Sequence, residues 1–343
     1  MKNGFIVFSY VLVFFAFCFA INGCKNTKGE KRENIVIQSK TVNTSQQTQT
    51  FVPDTNLYNA RLLYLVHNKH TNKWPVKTGY PLPGAILPFK RIVAFYGNFY
   101  NPKMGILGEY PPDTMLRKLQ EQARAWALAD TMIPVQPALH YIAVSAQLEP
   151  GKGRRYRLRM PSTQIEKAIA LARKINGIVF LDVQVGHSTV QEEIPLLEPY
   201  LKLPEVHLAL DPEFSMKDGS RPGRKIGTMD AEDVNYAAKY LADIVKKNKL
   251  PPKILVVHRF TYKMLTNAKN IKTLPEVQIV INMDGFGGPA KKADSYKIIA
   301  KEPVQFTGFK IFYKQDVSTT NRKIMQPADV LKLNPSPIYI QYQ

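Results

Sequence analysis

Cysteine is almost missing from this 343-residue chain: there are two, Cys18 and Cys24, and both lie in the first 24 residues. If the chain is cut before Cys24, no cysteine is left free to pair. That excludes a disulfide framework, a thiolate metal site and a cysteine nucleophile, so the exported core must be stable by packing alone. Acidic residues are also scarce, 27 Asp and Glu against 47 Lys and Arg, a formal net charge of +20. The surplus favours anionic partners such as an acidic polymer or a lipid surface. Several site signatures are missing. No dinucleotide glycine fingerprint follows the first strand, where Gly105 and Gly108 are in the wrong arrangement, and no phosphate-binding loop is present. No Gly-x-Ser-x-Gly elbow exists for a serine triad, and no His-x-His or His-Glu-x-x-His pair marks a metal hydrolase. No aromatic–basic single-strand motif supports a nucleic-acid partner.

The chain opens with Lys2, the apolar run Phe5–Ala20 and the tetrad Ile21-Asn22-Gly23-Cys24. A charged start, a short apolar core and small residues before a cut make a secretory signal. The tetrad resembles the bacterial lipobox, which implies a diacylated Cys24 as the new N-terminus and membrane attachment in the cell envelope. Residues 1–23 read as signal peptide. Residues 24–50, rich in Lys, Asn, Gln, Ser and Thr, read as a flexible tether that cannot bury enough surface to offset its ordering entropy. Residues 51–90 read as an irregular lead-in containing one strand-like run, Arg61–His67. His67 and His70, three apart, read as surface histidines.

From Arg91 onward the pattern alternates. Strands are expected at Arg91–Phe99, Ile133–Ala146, Gly177–Val185, Val206–Phe214, Lys253–Phe260, Val277–Phe286, Phe306–Tyr313 and Ile338–Gln343. Helices are expected between them: Pro112–Asp130, Thr163–Ile175 with a Thr163/Glu166 capping box, a segment opened by Ser188 or Thr189, Asp230–Lys249, a stretch to Asn270, Ala293–Ala300 and Ala328–Leu333. Eight strands with intervening helices predict one α/β domain, a (β/α)8 TIM-barrel over residues 91–343.

Function in such a barrel sits at the strand C-terminal ends. The polar residues there are Tyr96 and Asn98, His140, Asp182 and Gln184, Asp211 and Glu213, His258, Asn282 and Asp284, and Lys310. Paired acids suit glycoside hydrolysis, in which one carboxyl protonates the leaving oxygen and another stabilises or attacks. Glu213, between Pro212 and Phe214, is the predicted acid; Asp211 on the same strand face is expected to orient it or the substrate, and Asp182 is the second carboxylate. Tyr96, Asn98, Glu109, His140, Gln184, His258, Asp284 and Lys310 are predicted substrate contacts. Arg154 and Arg155 in the loop Gly151–Arg159 are predicted to make the rim electropositive toward an envelope glycan or other anionic polymer. No cofactor or metal is expected.

Asp211-x-Glu213 at the end of a fourth strand resembles the terminal part of the family 18 chitinase-type motif, in which the Glu is the acid and the Asp positions an N-acetyl group. Met283-Asp284 is similar to part of that group's Met-x-Tyr-Asp. The upstream aspartates are missing from Val206–Leu210, and so is the Tyr. Ala94-Phe95-Tyr96-Gly97, Leu107-Gly108-Glu109-Tyr110, Leu181-Asp182-Val183-Gln184, Leu210-Asp211-Pro212-Glu213 and Asp284-Gly285-Phe286-Gly287 resemble a group of uncharacterised bacterial secreted proteins and lipoproteins. That resemblance runs from Arg91 to the C-terminus and implies a domain boundary there, but no reaction. Three functions stay open: a glycosidase-like hydrolase of the envelope, a non-catalytic glycan-binding lipoprotein, and a divalent-metal hydrolase, such as a phosphodiesterase, using Asp182, Asp211, Glu213, His258 and Asp284.

Overall fold

The structure is a computed structural model that describes residues 54–317 and 323–343. The signal peptide, the tether and Cys24 lie outside the described residues. Among the described residues no helix is long and apolar enough to cross a membrane.

Eight strands form the centre: β1 (Arg91–Gly97), β2 (Val135–Ala146), β3 (Ile178–Val183), β4 (Val206–Leu210), β5 (Lys253–His258), β6 (Val277–Met283), β7 (Phe306–Ile311) and β8 (Tyr339–Tyr342). Each pairs in parallel with the next. β8 pairs in parallel with β1, Ile92 opposite Tyr339 and Val93 opposite Ile340, which closes the ring. The fold is the expected TIM barrel. Alternation along each strand builds two cores. Val93, Phe95, Leu139, Val179 and Leu181 face outward to the helices. Ile92, Ala94, Ala138, Ile178, Phe180, Val256 and Phe306 fill the lower barrel interior. Both faces being buried explains why the strands read as near-continuous apolar runs.

Among the described residues five helices exceed two turns: α1 (Thr55–Leu65), α2 (Pro112–Ala129), α3 (Ser162–Arg173), α4 (Ala231–Asn248) and α5 (Pro289–Ala300). α2 begins with Pro112 and buries Met115, Leu116, Leu119 and Trp126 at helical spacing. α4 has a reciprocal cap in which Asp230 and Asp233 satisfy first-turn N–H groups, and lysines in its last turn.

Four local expectations differ from what forms. The run Arg61–His67 is helical up to Leu65, not a strand. Asp54 caps α1 by accepting from the Leu57 N–H at 2.9 Å, and Tyr58 and Leu65, seven apart, are its buried side chains. A closed ring offers this segment no strand edge, so it packs Leu65 against the interior core, which lies at the strands' N-terminal ends. The second difference is between β5 and β6, where the expected helix is replaced by two single turns, Tyr262–Met264 and Ala268–Asn270. Asn267 between them is left-handed at φ 54° and interrupts any helix. In the third, the segment after β3 is split into three one-turn pieces, because Pro195 and Pro199 each restart the backbone. In the fourth, α3 follows Pro161 with no side-chain cap, so the Thr163/Glu166 box does not form.

Candidate active site

Toward the strands' C-terminal ends the barrel interior turns polar, and here the predicted residues converge. Tyr96 and His140 are register partners on β1 and β2. His258 and Asn282 are partners on β5 and β6. The Tyr96 hydroxyl donates to Asp182 Oδ2 at 3.0 Å. Gln184 has its amide orientation set by the Ala146 N–H, which it accepts at 3.1 Å on Oε1. Its Nε2 then donates to the Tyr96 oxygen and to Asp211 Oδ2, each at 3.2 Å. His258 Nδ1 lies 3.0 Å from Asp284 Oδ2. His140 Nδ1 lies 2.5 Å from the Tyr339 hydroxyl, which also accepts from Gln341 at 3.1 Å. Lys310 Nζ stands 3.8 Å above the Tyr96 ring, a cation–π contact.

Above this layer opens a cavity of about 610 Å³. Its polar lining includes Tyr96, Gln184, Asp211, Glu213, Asp284, Lys291 and Lys310; Phe214, Phe260, Phe286 and Phe312 form its apolar walls. Glu213 is not on the strand itself, as its period-2 relation to Asp211 suggests. Asp211 accepts the Glu213 N–H at 3.2 Å and so caps a one-turn helix, Pro212–Phe214, which carries Glu213 into the cavity. The turn is pinned from behind by Gly227, whose N–H donates to the Glu213 carbonyl at 2.6 Å. A side chain at Gly227 would meet the carbonyl oxygens of Ser215, Glu213 and Pro212 at 2.6–2.7 Å, so only glycine fits. Among the described residues Glu213 forms no ion pair, with Arg221 and Arg224 included.

Burial sets the titration of these groups. It raises Glu213, and the Asp284 charge adds to the effect. It raises Asp211 well above an ordinary aspartate, against the opposing pull of His258. Burial also opposes ionisation of Asp182, but His140 and His258 beside it hold it at about 2. Desolvation lowers His140 to about 4. In His258 desolvation is outweighed by the Asp284 bond and the Asp182 charge, and the net shift is upward. Lys310 is lowered by burial, with the surrounding carboxylates resisting.

Not every predicted residue reaches the cavity. Asp182, His140 and His258 lie beneath its floor, fully buried, with donor atoms within 4.8 Å of one another. Asn98 is a loop brace: it donates to the Ile142 carbonyl at 3.0 Å and accepts from the Tyr100 N–H at 2.8 Å. Glu109 pairs with Lys314 at 2.9 Å in a separate groove with Tyr110 and Lys118. Arg154 is exposed and Arg155 is engaged by Glu192 and the His187 carbonyl, each at 3.0 Å. Arg157 and Arg159 both bind the buried Glu193, at 2.7 and 2.6 Å. The basic loop is thus tied down by acids and neither Arg154 nor Arg155 lines the cavity.

Sequence reasoning missed the aromatic walls and a buried clamp. The signal for the walls is His258-x-Phe260, Asp284-x-Phe286 and Lys310-x-Phe312: on three successive strands a phenylalanine follows the polar residue by two. In the clamp Lys292, on α5, donates to the carbonyls of Gly285 (3.0 Å) and Lys310 (2.6 Å) and pairs with Asp316 at 2.7 Å. Asp316 in turn accepts the N–H groups of Gly287 and Phe312, each at 2.9 Å. This joins the loops after β6 and β7.

No protein-family model and no curated protein matches the chain. Solved structures similar to it include a cellulase titled Cel5C_n, 10% identical with a TM-score of 0.37 over 64% of this chain. The catalytic domain of alkaline cellulase K is 11% identical with a TM-score of 0.31 over 73% of this chain. The matched parts span 65% and 63% of those two chains, less than two thirds of either.

Proposed function

We propose that this chain is a cell-envelope lipoprotein whose barrel mouth hydrolyses a glycan, with Glu213 as the general acid. The observation that carries the reading is the setting of Glu213. Its carboxyl faces a cavity between phenylalanines, is free of ion pairs among the described residues, and is raised by burial and by Asp284. A carboxyl whose hold on its proton is strengthened in this way can deliver that proton to a glycosidic oxygen. Asp284, which the same cavity exposes, is the second carboxylate and supports the positive charge that develops at the sugar ring. It replaces Asp182 in that role, since Asp182 has no surface in the cavity. Asp211 holds the turn, while Gln184, Tyr96 and Lys310 line the floor. Phe260, Phe286 and Phe312 offer apolar faces on which the C–H faces of sugar rings can pack. Among the described residues Lys291 and Lys310 are the cations that face the cavity, and they suit an anionic glycan.

The test is turnover on a panel of envelope glycans by the wild-type chain and by Glu213→Gln, which keeps shape and removes the proton. A general acid contributes about 10²–10⁴-fold, so the variant should lose at least about two orders of magnitude while keeping its melting temperature. A variant that stays active refutes the assignment.

A further inference from the structure

Beneath the cavity floor, three side chains from β2, β3 and β5 aim at one point. His140 Nε2 lies 3.7 Å and His258 Nε2 3.8 Å from the same atom, Asp182 Oδ1. All three residues are fully buried, and neither Nε2 has a hydrogen-bond partner among the described residues. The far side of each group is already occupied. Asp284 takes His258 Nδ1, Tyr339 takes His140 Nδ1, and Tyr96 takes Asp182 Oδ2. In the tautomer with Nδ1–H donating outward, each imidazole presents the lone pair of Nε2 inward, toward a carboxylate oxygen. In that tautomer three electron-rich atoms face one another in a dry interior, an arrangement that a cation between them satisfies. A hydrogen bond to nitrogen spans about 2.7–3.2 Å, and both contacts are longer.

We infer that His140, Asp182 and His258 form a binding site for one divalent transition-metal ion of the zinc type, set inside the barrel below the cavity. Donors around a tetrahedral zinc stand about 3.4 Å apart, given bonds of about 2.0–2.2 Å. The two contacts to Asp182 reach that after a contraction of a few tenths of an ångström. The two-nitrogen, one-oxygen set fits zinc, cobalt or ferrous iron and not calcium or magnesium, which take oxygen. The outer partners are those that metal sites use: a carboxylate behind one histidine and a hydroxyl behind the other fix tautomer and ring orientation. The ion would tie three strands together, and Tyr96 and Asp284 would pass its position to the cavity. The inference does not depend on the glycan reading and is tested without turnover.

The full chain is stripped with a chelator, equilibrated in turn with Zn²⁺, Ca²⁺ and Mg²⁺, desalted and analysed for metal. The expected result is one zinc per chain, no calcium or magnesium, and a melting temperature several degrees higher with zinc. His140→Phe and His258→Phe should each lose the ion, and Asp284→Asn, which leaves all three ligands in place, should weaken binding about 10–100-fold. His67→Ser with His70→Ser should retain it. Cobalt in place of zinc should give visible d–d bands that the two Phe variants lack. A wild-type chain that keeps less than a tenth of a zinc, or folded Phe variants that keep the full amount, would overturn the inference. So would Asp284→Asn binding zinc as tightly as wild type.

Discussion

Lys292→Met should destabilise the barrel strongly and loosen one wall of the cavity. Lys292 is 1% exposed and bonds two loop carbonyls and Asp316. Methionine fills similar volume but leaves the Gly285 and Lys310 carbonyls without that donor and removes the buried Lys292–Asp316 ion pair. Removing one partner of a buried ion pair costs about 3–5 kcal/mol. At about 2.1 cal/mol/K of unfolding entropy per residue, that lowers the melting temperature of a domain of this size by roughly 5–8 °C. Trp74 reports the loss, because its indole N–H donates to the Ala300 carbonyl at 3.0 Å, at the end of the same helix. The pH dependence provides a second check. Burial lowers Lys292 from 10.5 to about 8. Between those values the unfolded chain binds the extra proton, so wild-type stability gains as pH rises through the window. Lys292→Met lacks that gain. The gap between the two chains should therefore widen from pH 7 to pH 10, by up to about 3 kcal/mol at 1.36 kcal/mol per unit. Urea titrations followed by tryptophan fluorescence at both pH values measure it. A variant within 1 kcal/mol of wild type, or a gap that narrows with pH, would refute the clamp.

Gly227→Ala should push the Pro212–Phe214 turn outward, since its Cβ would stand 2.6–2.7 Å from three carbonyl oxygens. Overpacking of that kind costs about 1–3 kcal/mol, and moving Glu213 by an ångström lowers turnover by about 10²-fold; unchanged melting and turnover would count against the pinning role. The alkaline limb of kcat/KM should have its midpoint above 4.5, because burial and Asp284 raise Glu213 and its protonated form is the active one. A midpoint at or below 4.5 contradicts it. Cys24→Ala should block processing and labelling by a radioactive fatty acid, and an unchanged label on the variant would remove the lipid anchor.

The barrel was legible because its strands are buried on both faces, so they stand out as apolar runs that end in polar groups. Gly177–Val185 and Val206–Phe214 are the clearest; strands form at Ile178–Val183 and Val206–Leu210, and the end of the second run turns into the Pro212–Phe214 helix instead. What failed were choices that depend on the completed ring. Arg61–His67 has the composition of a strand, but a closed ring has no edge to receive it. The helix expected up to Asn270 is cut by Asn267 in a left-handed conformation that the sequence only permits. In the site, residues on strands were placed well, because alternation fixes which side chains point inward. Residues in loops were not. Arg154 and Arg155 look free along the sequence, yet Glu192 and Glu193, over 30 residues on, hold their loop. Asp182 sits at a strand end, which suggests a second catalytic carboxylate, but one step of pleat separates a residue under the floor from Gln184 on it. His140 and His258 are 118 positions apart along the chain, a spacing no metal motif encodes.

The central claim is that a glycan sits in the barrel mouth against Glu213. A crystal structure of the Glu213→Gln chain soaked with an oligosaccharide tests it most directly. The account predicts sugar rings against Phe260, Phe286 and Phe312, a glycosidic oxygen within hydrogen-bond distance of the side chain at position 213, and Asp284 beside the adjoining ring carbon. An oligosaccharide bound elsewhere on the chain, or one in the cavity with its glycosidic oxygens remote from position 213, would contradict it.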